Sequence, residues 1–108
     1  MGYPEYEDME EPLLCYIYFN GGTNYEVRPK ETYDPLANFF GLSLSERKSP
    51  RPDGYGGSQW ENRVQWTRQR LINNGELDGS TRGIWRLNNA GEFRASKISN
   101  RYKQLKLN

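Results

Sequence analysis

One stretch constrains the fold of this chain more than any other: residues 58–87, SQWENRVQWTRQRLINNGELDGSTRGIWRL. Ser58 is a favourable helix N-cap, and Glu61 stands three residues later, at the spacing of a capping box. An amphipathic helix is therefore predicted to end at Gly75, a residue type that commonly terminates helices. A strand–turn–strand pattern follows at once, so the helix leads directly into a small hairpin.

The predicted helix has two faces. At about 100° per residue, four side chains fall close to one line and form a face suited to burial: Trp60, Val64, Thr67 and Leu71. The opposite face carries Gln59, Asn62, Trp66, Gln69, Arg70 and Asn73. Asn and Gln can pair bidentately with adenine and Arg with guanine, so this face is suited to reading base edges in the major groove. Arg63 and Arg68 flank the buried face, where they can reach phosphates.

Trp66 is a bulky ring on an otherwise polar face. One interpretation packs it internally, under the 43–58 loop or against the first helix. The other places the ring against a methyl group in the major groove, which thymine, N6-methyladenine and 5-methylcytosine all carry. Both interpretations stay open at this point.

The hairpin is predicted to pair the strands Leu77–Asp78 and Gly83–Leu87. Arg82 stands at its tip beside a glycine, so it is either a contact to the minor groove or a phosphate, or an ordinary exposed arginine. Ile84, Trp85 and Leu87 are expected to help close the core.

The residues before this stretch predict three further elements. A helix is expected over roughly 9–20, with a weak strand over 23–28. A second helix is expected over 32–42, where Asp34 is a plausible cap before Pro35. Residues 43–58 contain prolines, glycines and serines and predict a long loop. That loop carries the cations Arg47, Lys48 and Arg51, and it is either functional or a solvated linker.

Composition excludes several kinds of chemistry. The chain has no histidine, which removes histidine-based acid–base catalysis, Ser–His–Asp triads and histidine-containing zinc sites. Its one cysteine, Cys15, cannot form an internal disulfide and is expected to be a buried thiol, as in a reducing cytoplasm. No apolar run is long enough to span a membrane. No cofactor or metal is expected, and no catalytic residue is assigned.

Charge is divided unevenly between the halves of the chain. Residues 1–46 hold two basic and nine acidic residues, whereas residues 47–108 hold thirteen basic and five acidic residues. The total of +1 therefore hides a basic second half. Such asymmetry is typical of nucleic-acid-binding chains, although an acidic tail and an ordinary solvated surface would produce it too.

These patterns together predict an α+β fold of the winged-helix type, with a helix-turn-helix core and a small β-wing. The predicted organisation is an acidic lead-in over 1–8, a DNA-binding domain over 9–91 and a basic, helical extension over 92–108.

The joint pattern also resembles a known family. It comprises Asn62-Arg63-Val64-x-Trp66-x-Arg68-x-x-Leu71, then Gly75, then Gly83-x-Trp85-x-Leu87 and Gly91. In these residues the chain resembles, over roughly 10–91, the N-terminal winged-helix domain of Mrr-type modification-dependent restriction endonucleases. The resemblance implies a module that binds duplex DNA and senses N6-methyladenine, with a nuclease domain fused to it or separate from it.

Carried across to this chain, the resemblance makes Asn62, Arg63, Trp66 and Arg70 candidate base or methyl contacts and Arg82 the wing contact. Two features depart from the family pattern: the Gly/Pro-rich 43–58 loop, and a basic extension in the place of a linker to a nuclease.

Two other functions compete with this hypothesis. A winged helix can instead serve as a protein–protein adaptor, or as a transcription regulator without preference for modified bases. A nuclease is the weaker alternative, because the acidic residues of the second half are not spaced with a lysine in a recognisable metal-binding motif. The sequence does not define the oligomeric state.

Overall fold

The computed structural model describes residues 2–107, which form an α+β fold. Within that range there are five α-helices, two 3-10 helices and a three-stranded antiparallel sheet. The helices and strands are, in chain order, α1 (Tyr6–Asn20), β1 (Glu26–Val27), α2 (Pro29–Phe39), α3 (Leu44–Lys48), α4 (Gln59–Asn73), β2 (Leu77–Asp78), β3 (Trp85–Leu87) and α5 (Asn89–Ile98). The 3-10 helices span Gly22–Asn24 and Ser99–Leu105.

The sheet has the strand order β1-β3-β2, so the last strand lies in the middle. Val27 is opposite Trp85, and Leu77 is opposite Leu87. All four of these side chains are buried, so one face of the sheet packs against the core. Ile84 is only half-buried and lies outside the core cluster, contrary to the prediction, because it precedes the buried Trp85 and successive side chains along a strand point to opposite faces.

Helix α1 lies at the centre of the fold, where it packs against α4, α5 and the sheet. It contributes the fully buried side chains Met9, Leu13, Leu14 and Ile17. The four α4 residues predicted to face inward, Trp60, Val64, Thr67 and Leu71, are all buried, which confirms the predicted face. The predicted ends of α4 are confirmed as well, since Ser58 Oγ accepts from the Glu61 N–H at 3.0 Å and the helix stops before Gly75.

The N-terminal segment is more ordered than expected. Helix α1 begins at Tyr6 rather than near residue 9, so the acidic stretch predicted as a lead-in includes the first turn of the helix. Met1 of that stretch lies outside the described residues. Tyr3 stacks on Trp60 with ring centroids 6.1 Å apart, and its hydroxyl donates to the Glu46 carbonyl at 2.7 Å. These contacts hold the start of the chain against α4.

Helix α2 begins earlier than predicted. The prediction of Asp34 as its cap is wrong, because Pro29 occupies the first helical position and the Arg28 N–H donates to Glu31 Oε2 at 2.8 Å. Pro35 is therefore inside the helix. Gly41 has a left-handed φ of 69° and follows the helix end.

The predicted 43–58 loop is wrong over Leu44–Lys48, where α3 forms. Ser43 Oγ accepts from the Glu46 N–H at 3.1 Å, and Glu46 Oε1 accepts from the Ser43 N–H at 2.7 Å, which is a complete capping box. The remaining loop is closed at its base by an antiparallel bridge between Pro50 and Ser58.

The C-terminal segment that was predicted to be helical contains most of α5, which begins earlier than that segment and ends at Ile98. Asn88 Oδ1 accepts from the Gly91 N–H at 3.0 Å and caps α5, which then passes into the 3-10 helix. Gly91 packs so tightly that a Cβ there would lie 2.0 Å from the Glu76 carbonyl oxygen. Phe93 of this helix is 63% exposed. None of the helices in residues 2–107 has the length and apolar character to cross a membrane.

Candidate nucleic-acid interface

The solvent-facing side of α4 carries most of the predicted contact residues. Because the core holds the opposite face, Asn62, Trp66, Gln69 and Asn73 project outward and all are at least partly exposed. Gln69 Nε2 donates to Asn73 Oδ1 at 3.1 Å, one helical turn away. The structure thus brings these four side chains together in one exposed strip of α4, which is polar except for the indole of Trp66.

Trp66 is 56% exposed. The ring is therefore not enclosed by the core, although it borders Tyr6 of α1. The Trp66 ring lines a shallow pocket of about 220 Å³ together with Tyr6 and Arg70. An exposed indole beside a tyrosine and a guanidinium forms a site that can accept a small apolar group next to a hydrogen-bond acceptor.

The edge of α4 that faces α1 holds two of the predicted arginines. Arg63 Nε donates to the Pro4 carbonyl at 2.7 Å, and its guanidinium lies 4.2 Å from the centre of the Tyr6 ring. Arg70 Nε donates to Glu10 Oε2 at 2.8 Å. Both side chains are therefore fixed by contacts within the fold before any ligand arrives.

The other edge of α4 faces the hairpin. Arg68 and Arg82 line one groove of about 400 Å³, together with Pro29, Gln65, Gly83 and Trp85. Gln65 Nε2 donates to Tyr33 Oη at 2.9 Å. Burial raises the pKa of Tyr33 above its ordinary value. The sequence reasoning missed Gln65, which a wider arc on the helical wheel would have included.

The 49–57 loop borders the beginning of α4. Arg51 lines a concave surface of about 340 Å³ with the outward residues of the helix: Asn62, Gln65, Trp66, Arg68 and Gln69. Its guanidinium also bonds to Asp53. The pKa of Asp53 is lowered by the bond from the Tyr55 N–H and by Arg51, so this carboxylate stays charged. Gln59 Nε2 donates to the Pro50 carbonyl at 3.2 Å, which makes this residue a support of the loop.

The two remaining predicted cations differ in their surroundings. Arg47 donates from Nε and Nη2 to the Leu42 carbonyl, at 3.2 and 3.0 Å, and its side chain is only 18% exposed. This arginine connects α3 to the end of α2. Lys48 is exposed at the last residue of α3.

Ion pairs between the two halves of the chain reduce the charge asymmetry. Acidic side chains of the first half pair with arginines of the second half, in the pairs Asp34–Arg47, Glu10–Arg70, Glu26–Arg86, Glu10–Arg94, Glu11–Arg94 and Glu11–Arg101. Among the described residues, the cations without an ion pair include Lys48, Arg63, Arg68 and Arg82 on or near α4 and the hairpin, and five others elsewhere: Arg28, Lys30, Lys97, Lys103 and Lys106. Part of the positive charge that stays available therefore lies beside α4.

Across residues 2–107, no group of three or more Cys, Asp or Glu side chains is arranged to hold a metal ion.

No curated protein and no solved structure matches the chain. Its sequence does match a protein family, the Mrr N-terminal domain, over residues 6–97. The match runs from the first residue of α1 almost to the end of α5 and so includes the whole sheet and the exposed strip of α4. The chain therefore belongs to the Mrr N-terminal domain family, which is a restriction-system family.

Proposed function

We propose that this chain is a double-stranded DNA-binding module of a modification-dependent restriction system. The observation that carries the proposal is the outward strip of α4, with Asn62, Trp66 and Gln69, lying beside the cations Arg68 and Arg82. The side-chain amides of Asn and Gln and the planar guanidinium of Arg can pair with base edges. Arginines also form contacts with phosphates.

The element order supports a winged-helix mode of binding. The chain passes through α1, β1, α2, α3 and α4 before it reaches the β2–β3 hairpin. The short helix α3 is an addition between α2 and α4. In this mode α4 enters the major groove, as recognition helices do. The hairpin tip with Arg82 contacts the neighbouring backbone or minor groove.

The contacts divide by role. Asn62 and Gln69 read base edges, since their amides can both donate and accept. Lys48, Arg51, Arg68 and Arg82 contact phosphates around the groove. Arg47 and Gln59 support the surface from behind, because both are bonded to backbone carbonyls.

The modified base is recognised at Trp66. The exposed indole contacts a methyl group that projects into the major groove, and N6-methyladenine is the proposed target. The pocket shared with Tyr6 and Arg70 supports this assignment, because it offers apolar surface at the edge of the polar strip. Cleavage of the DNA belongs to a nuclease domain, fused or separate, and the role of this chain is recognition.

A fluorescence anisotropy titration tests the proposal with one duplex sequence in three forms: unmodified, with N6-methyladenine and with 5-methylcytosine. Binding to all three at low salt is expected, tightest for N6-methyladenine. Affinity should fall steeply as salt rises, because each phosphate contact releases a counterion. Absence of binding to every duplex at low salt would contradict the proposal. Binding to a protein partner with an affinity that does not change with salt would instead favour a protein–protein adaptor.

A further inference from the structure

We propose that Glu10 positions Arg70 so that α4 reads a guanine next to the methyl-bearing base. The inference rests on the proposed DNA binding and adds a specificity-determining pair to it. Arg70 is the residue that would touch the DNA, whereas Glu10 acts through the arginine and is a positioning residue.

Glu10 is a carboxylate enclosed by donors. It lies in α1 and is 8% exposed, the most buried acidic side chain of the described residues. Its Oε2 accepts from Arg70 Nε at 2.8 Å and its Oε1 accepts from Asn74 Nδ2 at 3.0 Å. Arg94 Nη1 also lies near this carboxylate, at 3.8 Å from Oε1. These contacts fix the carboxylate on both oxygens, so it is a rigid base for the arginine.

The terminal N–H groups of Arg70 are the ones that would contact a base. Only its Nε is bonded to Glu10, and the side chain remains 46% exposed. Within residues 2–107 its terminal nitrogens make no further hydrogen bond. A guanidinium is planar, so fixing Nε also fixes the plane in which the terminal N–H groups point. Guanine offers O6 and N7 as a matching pair of acceptors in the major groove.

The other two arginines of α4 lack this arrangement. Arg63 is bonded to the neutral carbonyl of Pro4 and lies over the Tyr6 ring. Arg68 makes no ion pair within the part of the chain that the structure describes. Arg70 alone on this helix is oriented by a buried carboxylate, which favours it as a base contact over a role at the phosphates.

The position of Trp66 sets the distance between the guanine and the methyl group. Trp66 precedes Arg70 by four residues, so the two side chains lie on the same side of α4 and line the same pocket. One helical turn rises about 5.4 Å, and one base-pair step rises about 3.4 Å. A helix lying along the groove would therefore bring Arg70 to a guanine one or two base pairs from the methylated base at Trp66.

Selection from a duplex library tests the inference. The library carries one N6-methyladenine at a fixed position, with randomised base pairs on both sides. The wild-type protein is expected to enrich guanine at one fixed position within two base pairs of the methyladenine. Replacing that guanine by 7-deazaguanine, which lacks N7, should then weaken wild-type binding about tenfold, within the range for a bidentate base contact.

Variants separate reading from folding. Arg70→Lys should lose most of the guanine enrichment and retain general binding to duplex DNA, because a lysine cannot pair bidentately. Glu10→Gln should lower the enrichment at least threefold at the same position. Asn74→Ala removes the other short bond to Glu10 and leaves the Arg70 contact in place. It should lower the enrichment less than Glu10→Gln does.

The outcomes are distinguishable from a failure of the proposed function. Binding without guanine enrichment at a fixed spacing, or enrichment that survives Arg70→Lys or a folded Glu10→Gln, would overturn the Glu10–Arg70 inference and leave DNA binding standing. If Glu10→Gln does not fold, as circular dichroism would show, Glu10→Asp takes its place: its shorter side chain should lower the enrichment, and an unchanged enrichment would overturn the positioning role. Failure of the wild-type protein to bind any member of the library would overturn the proposed function, and this inference with it.

Discussion

The indole Nε1 of Trp60 donates a 2.8 Å hydrogen bond to the backbone carbonyl of Tyr33 and thereby joins α4 to α2. The same helix carries Trp66, whose ring is mostly in solvent. Two tryptophans six residues apart therefore have opposite roles, the first in holding α4 in place and the second at the surface.

Trp60→Phe should destabilise the fold by about 2 kcal/mol, because it removes this hydrogen bond and leaves unfilled volume in the core. Urea unfolding followed by circular dichroism measures the change. Trp66→Phe is the matched control and should stay within about 0.5 kcal/mol of the wild type, as surface substitutions do. Equal losses in both variants would show that Trp66 is structural.

Trp66→Ala should lower the preference for methylated over unmethylated duplex about fourfold, because one buried methyl group is worth about 0.8 kcal/mol. The ratio of the two dissociation constants is the quantity to measure. Overall affinity should fall less than the ratio does. An equal loss of affinity for both duplexes would argue against a methyl contact at this residue.

Arg82→Ala should weaken binding to every duplex by a similar factor. It should also reduce the slope of log affinity against log salt by about 0.9, the value for one phosphate contact. Lys103→Ala, which removes an exposed cation from the C-terminal 3-10 helix, should leave both quantities unchanged. A change in base preference in the Arg82 variant would instead indicate groove readout by the hairpin.

Alkaline conditions should destabilise the protein through Cys15. Burial raises the pKa of this thiol from 9.0 to about 12, so the folded state retains a proton that the unfolded state releases. The resulting stabilisation is complete below pH 9 and is lost as the pH rises toward 12. The free energy of unfolding, measured across that range, should fall more steeply for the wild type than for Cys15→Ala. Parallel curves would place the thiol in contact with solvent.

Gly91→Ala should destabilise the fold severely, since the added methyl group would meet the Glu76 carbonyl oxygen at 2.0 Å and backbone would have to move. Thermal melts should show a large drop in Tm. Gly2→Ala is the control, because a Cβ there meets nothing within 4 Å, and its Tm should match the wild type. A small effect at Gly91 would mean that the start of α5 can shift freely.

The sequence predicted elements well where a periodic pattern coincided with a clear cap. Helix α4 has both, with Ser58 before it and four apolar or small side chains at helical spacing. Helix α3 is only five residues long, too short for periodicity, although the Ser43-x-x-Glu46 capping box was present to indicate it. In α2, Asp34-Pro35 imitated a helix start, but the helix begins at Pro29, six residues before Pro35.

The candidate site was predictable in its residue types and less so in their partners. The helical wheel placed Asn62, Trp66 and Gln69 on the outer side of α4 correctly. It gave no sign that Glu10, 60 residues away, would hold Arg70, because such a pair depends on how α1 crosses α4. For the same reason the charge count of the second half did not show that five of its thirteen basic residues pair with acids of the first half.

The docking of residues 3–6 on α4 has a practical consequence for anyone handling the protein. Tyr3 and Pro4 touch Trp60 and Arg63, so the start of the chain runs along the margin of the helix that is proposed to enter DNA. An affinity tag fused there would lie within reach of the groove and its charge would enter every affinity measured. Tags and surface attachments therefore belong at the other terminus, and a variant that lacks the residues before Tyr6 should be compared with the intact chain.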